Sequence, residues 1–241
     1  MFKYHPDGSI WQGQEKARLV AQGFSQREGV DFRVGETYAP VVKLTSARII
    51  LAYANHHGYE IMSFDVKTAF LHAKLGYLLY AKQIPGFPEA DPQTVLHLLV
   101  AIYGLQQSAY ESYIFLLKLL LCLGLNCSEL DHSVFIGHWT SPPLPSISMP
   151  SDGKPLFLIV PVHVDDGLVV TNSIPLYNWF IDQLTPDLEV VDMGPVAMYL
   201  GNRITRDRAN RKLWISQRPL LVELLQNWNM LDCTPSNTPL S

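Results

Sequence analysis

Charged residues are scarce in this sequence. They make up 17% of its 241 residues, against roughly 25% in typical soluble domains, while hydrophobic residues make up 48%. This composition excludes a disordered chain and predicts a folded protein with a substantial core. Basic residues are not in excess, since 18 Lys and Arg accompany 22 Asp and Glu. The resulting net charge of −4 lacks the general positive field expected of a strong nucleic-acid binder.

Cysteines and long apolar runs are also few. The three cysteines include a C-x4-C pair, Cys122 and Cys127, without a second Cys or His pair to complete a zinc site, which predicts reduced, buried thiols. The longest apolar stretch covers residues 113–125 and is interrupted by Lys118. It is too short to span a membrane, and the N-terminus lacks the apolar run of a signal peptide. We therefore expect a protein that is neither secreted nor embedded in a membrane.

Periodicity predicts an alternation of helices and strands. Helices are predicted over residues 46–57, 109–123, 175–184 and 219–230, the first with Thr45 as N-cap and Gly58 as its stop. Strands are predicted over 59–65, 157–164, 168–171 and 212–216, and a hairpin over 2–19. Residues 138–155 hold five of the 17 prolines, which predicts a flexible loop or insertion.

Three carboxylates stand at the ends of predicted strands. Asp165 and Asp166 lie in an Asp-Asp-Gly segment between two β-branched runs, and Asp65 ends another strand. Ionised carboxylates beside buried strands repel each other unless a cation lies between them, and oxygen ligands favour Mg²⁺ or Mn²⁺. The three could form a two-metal phosphoryl-transfer site. The alternative is that the tripeptide is only a tight turn, which is the more common meaning of Asp-Asp-Gly alone.

Short motifs in a fixed order carry a further resemblance. They are residues 16–24 (KARLVAQGF), 38–43 (YAPVVK), 65–71 (DVKTAFL), 85–87 (PGF), 103–107 (YGLQQ), 164–166 (VDD), and 193–194 (MG) with 199–201 (YLG). Any one of these motifs would be a weak signal. Together they resemble the reverse transcriptase domain of Ty1/copia-type LTR retrotransposons, and the resemblance covers nearly the whole chain.

The resemblance implies an α+β fold, a right-hand polymerase with fingers, an antiparallel palm sheet and a thumb that is partial or absent. It implies one reverse transcriptase domain over residues 1–241. Within it, residues 1–60 would be mainly fingers and 61–137 palm and fingers helices. Residues 138–155 would be an inserted loop, and 156–241 the palm hairpin with the start of the thumb or connection.

The implied activity is RNA-directed DNA polymerisation, with nucleotidyl transfer from a dNTP to a primer 3′-hydroxyl. Asp65, Asp165 and Asp166 would be catalytic and would hold two Mg²⁺ ions, or Mn²⁺. Four residues would bind the nucleotide: Lys16 and Arg18 at the triphosphate, Phe70 as a steric gate, and Gln107. Considered without the resemblance, Lys16 and Arg18 could form a solvated strand face, Phe70 could be a core aromatic, and Gln107 could be a helix cap or solvent contact.

The implied partners are an RNA or DNA template–primer and dNTPs, without a membrane. Ribonuclease H and integrase segments are expected in the same polyprotein, outside this chain. The implied location is the cytoplasm, in a virus-like particle if the element is live, or the nucleus.

Several positions depart from the family pattern. His163 occupies a position where tyrosine is usual, and Val100, Gln106 and Tyr110 stand where relatives often carry basic residues. The segment 31–37 is about two residues longer than in the family pattern. These departures leave open an alternative, a catalytically inactive relic or a repurposed nucleic-acid- or protein-binding module with the same fold. They also predict weak template affinity that depends strongly on salt.

Overall fold

A computed structural model describes residues 18–84, 86–87, 91 and 93–234. The α-helices are α1 (Leu44–His57), α2 (Ser108–Cys122), α3 (Ile174–Leu184) and α4 (Arg218–Asn227). The strands are β1 (Glu60–Val66), β2 (Tyr80–Ala81), β3 (Leu96–His97), β4 (Asn126–Cys127), β5 (Val134–Trp139), β6 (Leu156–His163), β7 (Asp166–Thr171), β8 (Val190–Pro195), β9 (Met198–Tyr199), β10 (Asn202–Asp207) and β11 (Lys212–Ser216). Nearly all of the hairpin predicted over 2–19, Lys16 included, lies outside the described residues.

The predicted mixture of helices and antiparallel strands is confirmed. Helix α1 ends as predicted, since Gly58 is left-handed (φ 74°) and its N–H donates to the Ala54 and Asn55 carbonyls. Its predicted start is wrong, because Lys43 is the N-cap and Thr45 lies inside the helix. The burial predicted for the cysteines is also wrong. All three are free thiols, and Cys122 and Cys233 are exposed.

The described chain divides into two compact units. One comprises residues 40–67 and 119–234, and its centre is a six-stranded sheet in the order β4-β5-β6-β7-β1-β8. Every neighbouring pair in this sheet is antiparallel. Strands β6 and β7 are almost continuously buried because their Leu, Ile, Val and Phe side chains face packed layers on both sides. We refer to this part as the sheet unit.

Two helices cover the faces of the six-stranded sheet. Ile61, Leu168 and Val170 face α1 and share a buried cluster with Ile50 and Leu51 of that helix. The opposite face packs on α3, where the Phe64 and Phe180 rings meet edge to face at 6.0 Å between centroids. The burial of these aliphatic and aromatic side chains is the main source of stability for the strands that carry the predicted carboxylates.

A smaller sheet, β11-β10-β9, adjoins α1 within the sheet unit. Two arginines of the β10–β11 hairpin bind the carbonyls of the two residues that follow α1. Arg206 donates to the Tyr59 carbonyl at 2.6 Å, and Arg208 donates to the Gly58 carbonyl at 2.8 Å. Cations suit the negative end of a helix, so these contacts fix the hairpin against the end of α1.

The second unit comprises residues 18–39 and 68–118 of the described chain. Two of its glycines meet backbone to backbone. A Cβ added at Gly23 would lie 1.9 Å from the Gly104 carbonyl oxygen, and one added at Gly104 (φ 90°) would lie 2.2 Å from the Ala21 carbonyl oxygen. The Ala21 N–H donates to the Tyr103 carbonyl at 2.7 Å beside them. The motifs at 16–24 and 103–107 therefore contact each other at two glycines where a side chain would clash with the facing backbone.

The Pro-rich segment predicted over 138–155 begins later than expected. Strand β5 runs through Trp139, and residues 140–155 contain no helix or strand. Ile147 is buried within this segment, so part of the loop packs on the protein. No helix in the described part of the chain has the length and hydrophobicity needed to cross a membrane.

Candidate active site

The three predicted carboxylates meet at one end of the six-stranded sheet. Asp65 lies near the end of β1 and stands directly opposite Asp166, the first residue of β7. The Val66 N–H donates to the Asp165 carbonyl at 2.9 Å, and this hydrogen bond holds the third residue, Asp165, beside the other two. Side chains directly opposite on antiparallel strands point to the same face. The backbone thus brings together residues that are about 100 positions apart in sequence.

A two-residue loop, Val164 and Asp165, joins β6 to β7, since His163 pairs with Asp166. The predicted hairpin is confirmed, but Gly167 is not its turn residue. The left-handed position belongs to Val164 (φ 60°), a conformation that β-branched residues rarely adopt. Gly167 lies inside β7, where an added Cβ would lie 2.2 Å from Cζ of Phe64. A close side-chain approach, rather than a turn, therefore accounts for this glycine.

The electrostatic environment of Asp166 is unfavourable for a charge. Burial raises the pKa of its carboxyl above the usual range, and the neighbouring charges of Asp165 and Asp65 raise it further. His163 acts in the opposite direction with a smaller effect. Asp165 itself is exposed, whereas Asp65 and Asp166 are half-buried. This is the repulsion that the sequence predicted for adjacent carboxylates.

An ion pair lies beside the carboxylates. The Lys67 ammonium is 2.7 Å from a carboxylate oxygen of Glu189, and its backbone N–H donates to the Glu189 carbonyl at 2.9 Å. Its hydrogen bond to Glu189 raises the pKa of Lys67, and the charge of Asp65 adds a smaller effect in the same direction. These contacts hold the chain that leaves β1 against the start of β8.

The donor set fits a hard divalent cation. Three carboxylates supply only oxygen atoms, which Mg²⁺ and Mn²⁺ prefer, and a cation would relieve the repulsion that raises the Asp166 pKa. Among the described residues, however, no three His, Cys, Asp or Glu side chains are gathered as metal ligands. The strands bring the three residues together, but the side-chain conformations are not those of an assembled metal site.

The other unit holds the predicted nucleotide-binding residues that the structure describes. The Tyr103 ring contacts two of them: the Phe70 ring lies edge-on at 4.9 Å between centroids, and the Arg18 guanidinium lies 5.0 Å from the ring centroid. Arg18 is exposed and Phe70 is half-buried. In the sequence, Tyr103 is only part of a motif, but its contacts with two predicted site residues make it a further candidate.

Gln107 is fully buried. Its amide oxygen accepts a hydrogen bond from Gln26 at 3.1 Å, and its amide nitrogen donates to the Asp31 carbonyl at 3.4 Å. Gln106, one of the departures from the family pattern, donates to the Gly23 carbonyl at 3.1 Å. Both glutamines therefore organise the segment that contains Gly23, and the nucleotide contact predicted for Gln107 stays a prediction.

The fold and this site define a mixed α/β protein with antiparallel sheets and a cluster of carboxylates at a β-hairpin. The family model described as reverse transcriptase (RNA-dependent DNA polymerase) matches residues 1–241. The chain belongs to this family, as its motifs predicted.

The relatives are transposon polyproteins. The chain is 34% identical over its whole length to the retrovirus-related Pol polyprotein from transposon TNT 1-94 of Nicotiana tabacum. It is 35% identical over 99% of its length to the corresponding protein from transposon RE1 of Arabidopsis thaliana. It covers 17% and 15% of these two proteins, so it matches a small part of each. No solved structure matches the chain.

Proposed function

We propose that this chain is the RNA-directed DNA polymerase domain of a copia-type retrotransposon. The observation that carries the proposal is the direct opposition of Asp65 and Asp166 on neighbouring strands, with Asp165 in the adjoining loop. Family membership supports the reaction class. In the terms of a right-hand polymerase, the six-stranded sheet would be the palm, and the unit containing residues 18–39 would be part of the fingers.

Asp65, Asp165 and Asp166 would hold the divalent cations through their carboxylate oxygens. When bound, two Mg²⁺ ions activate the primer 3′-hydroxyl and stabilise the charge on the triphosphate and leaving pyrophosphate. The residues themselves supply the negative charge that concentrates cations at this end of the sheet. Burial, and then the charges of Asp165 and Asp65, raise the pKa of Asp166, and a bound cation would be favoured because it offsets this repulsion.

Arg18 and Phe70, which both contact the Tyr103 ring, would position the incoming nucleotide. A guanidinium suits a triphosphate because it donates two parallel hydrogen bonds to phosphate oxygens. The Phe70 ring, held edge-on by Tyr103, would exclude a ribose 2′-hydroxyl by its bulk. Lys16 would add a second cation at the triphosphate, and Gln107 would act through the segment that its amide supports.

A primer-extension assay tests this proposal. The purified chain is given an RNA template, a DNA primer, dNTPs and Mg²⁺, beside the Asp165→Asn variant, in which only one exposed charge is removed. Extension by the chain and its loss in the variant are expected. Equal extension by both proteins would reject the carboxylates as the catalytic groups. No extension by either protein would reject polymerase activity while leaving its family unchanged.

A catalytically inactive module with the same fold is the second candidate. The observation that favours it is the absence of basic side chains at Val100, Gln106 and Tyr110, together with the burial of Gln107. Such a module would bind a template–primer weakly or bind a protein. The primer-extension assay separates it from the enzyme, since it would bind nucleic acid without extending a primer.

The proposed partners are an RNA or DNA template–primer and dNTPs. The matching relatives are Pol polyproteins, which supports ribonuclease H and integrase as neighbouring segments of one polyprotein. The proposed location is the cytoplasm, within a virus-like particle if the element is live, or the nucleus.

A further inference from the structure

A basic groove lies along α1 in the sheet unit. It is a cavity of about 370 Å³ between α1 and the β10–β11 hairpin, lined by Arg48, Asn55 and His56 of α1 and by Arg211 and Leu213 of the hairpin. The groove extends along α1 from Arg48 near the start of the helix to His56 near its end. We call this cavity the α1 groove.

The α1 groove is positively charged. None of its described lining residues is acidic, and within the described part of the chain neither Arg48 nor Arg211 forms an ion pair. Arg208, by contrast, is neutralised by Glu60 at 2.6 Å. Two guanidinium groups without a carboxylate partner are suited to an anion, and phosphate is the anion that guanidinium binds best.

The backbone around Arg211 is fixed in place. The Asn55 amide donates to the Arg211 carbonyl at 2.6 Å, and Arg206 donates to the Asn55 side-chain oxygen at 3.2 Å. The hairpin loop is closed by Asp207, which accepts two hydrogen bonds from Asn210. Arg211 itself is left-handed (φ 52°). A strained residue held by several hydrogen bonds provides a preorganised rim, which lowers the entropic cost of binding.

Aromatic rings continue the surface next to the groove. His56 lines the groove and also contacts the His57 ring edge-on at 4.9 Å. His57 stacks on Tyr59 at 5.2 Å with an angle of 16° between planes, and the Tyr53 ring lies 4.6 Å from His57. Tyr53 is 43% exposed and His57 is exposed. We call Tyr53, His57 and Tyr59 the ring ledge.

Cations beside exposed rings are typical of surfaces that bind single-stranded nucleic acid, because phosphates need the cations and unpaired bases stack on the rings. A duplex hides the faces of its bases, and a free anion would use only the arginines. The charge distribution agrees. Six of the 18 Lys and Arg lie within residues 201–218, where Asp207 is the single carboxylate, so the negative charge of the chain lies elsewhere.

We propose that the α1 groove and the ring ledge together bind single-stranded nucleic acid, with phosphates at Arg48 and Arg211 and bases on Tyr53 and His57. This site is separate from the carboxylates and does not require polymerase activity.

Fluorescence anisotropy with the whole chain and short labelled oligo(dT) or oligo(U) tests the proposal, in EDTA so that no divalent cation contributes. The Arg48→Glu, Arg211→Glu double variant is expected to weaken binding by about 10-fold or more, and Tyr53→Ala by about 5-fold or more. The matched control is Lys82→Glu, Lys118→Glu, which makes the same charge change at two exposed lysines outside the groove. Thermal unfolding of each variant verifies its folding.

Four outcomes would overturn the proposal. The first is that the two double variants weaken oligonucleotide binding equally, and the second is that Tyr53→Ala leaves binding unchanged. The third is that the chain binds a duplex more tightly than a single strand. The fourth is that Asp165→Asn loses binding while the groove variants keep it. The last result would place the strand at the carboxylates instead. If Tyr53→Ala leaves binding unchanged and inorganic phosphate displaces the oligonucleotide, the groove is a simple anion site. Binding that survives in a chain inactive in primer extension would support the groove independently of the polymerase.

Discussion

Gly167 of β7 and Phe64 of β1 are cross-strand partners in van der Waals contact, and the Phe64 ring occupies the space of a Gly167 side chain. An added Cβ would lie 2.2, 2.3 and 2.8 Å from three ring atoms of Phe64, which is 2% exposed. Because Asp166 precedes Gly167 and Asp65 follows Phe64, this contact sets the spacing of the two strands where the carboxylates stand opposite each other.

We expect Gly167→Ala to destabilise the protein by roughly 1–3 kcal/mol, since overpacking a buried site forces the ring and the strand apart. Urea denaturation measures the change. Gly76→Ala is the control, because a Cβ at Gly76 has no atom within 4 Å. The double variant Phe64→Leu, Gly167→Ala should lose less free energy of unfolding than the sum of the losses in the two single variants. Additive costs would show that the ring is not the obstacle.

Val164→Asn is expected to stabilise the chain by roughly 1 kcal/mol. Val164 is left-handed (φ 60°) and 38% exposed, so asparagine relieves backbone strain while little packing is lost. The measurement is the free energy of unfolding from urea titrations. Val164→Ile, which keeps the β-branch, should leave stability almost unchanged. A stabilisation of the same size by isoleucine would contradict strain as the cause.

Asp166→Asn should stabilise the metal-free protein by roughly 0.2–1 kcal/mol, because it removes a like charge directly opposite Asp65. It should also reduce the rise in Tm that Mg²⁺ produces, since one carboxylate ligand is lost. Differential scanning fluorimetry with and without Mg²⁺ gives both results. Asp182→Asn, at an exposed site on α3, is the control. An unchanged Mg²⁺ response in Asp166→Asn would remove Asp166 from the proposed ligands.

Tyr177 makes stability sensitive to alkaline pH. Burial, and then its hydrogen bond to Asp192 at 2.5 Å, raise the pKa of this hydroxyl far above the usual value near 10. The unfolded chain therefore loses this proton at lower pH than the folded chain does. The stability linked to Tyr177 is present below about pH 10 and is lost as the pH rises further.

Tyr177→Phe is accordingly expected to flatten the decline in stability above pH 10, with a cost of roughly 0.5–1.5 kcal/mol at neutral pH from the lost hydrogen bond. Urea titrations at a series of pH values measure both effects. Tyr38→Phe, where the side chain is 73% exposed, is the control and should leave the decline unchanged. If the two variants decline with the same slope as the parent chain, Tyr177 is not the group responsible.

Local patterns predicted the elements that bury strongly periodic faces. Helices α1, α2 and α3 and strand β11 fall within two residues of the predicted ranges at each end, because their apolar spacing is a local pattern. Glycines also follow the ends of α1 and α2. The final helix, predicted to reach residue 230, ends at Asn227. Strands β8 and β10 were not predicted, since their exposed and half-buried residues alternate too weakly to distinguish them from loops.

Non-local contacts set the limit of prediction at the site. The carboxylates were identified from residue type and motif, and their meeting follows from the pairing of β1 with β7. No local pattern indicates that Gln26 donates a hydrogen bond to the buried Gln107, 81 residues further along the chain. Nor does one indicate that the Phe64 ring leaves no space for a side chain at Gly167. Such contacts depend on which distant segments pack together, and a single sequence carries no direct record of that.

The pairing of β1 with two later strands has a consequence during synthesis. This strand pairs with β7 and β8, yet it leaves the ribosome about 100 residues before β7 does. At 5–20 residues per second, the interval is on the order of 5–20 s. A nascent β1 with buried-type residues on both faces must wait that long for its partners, so Asp65 and Asp166 can meet only late in translation. The yield of folded protein should therefore depend on the elongation rate and on chaperone binding to the waiting strand.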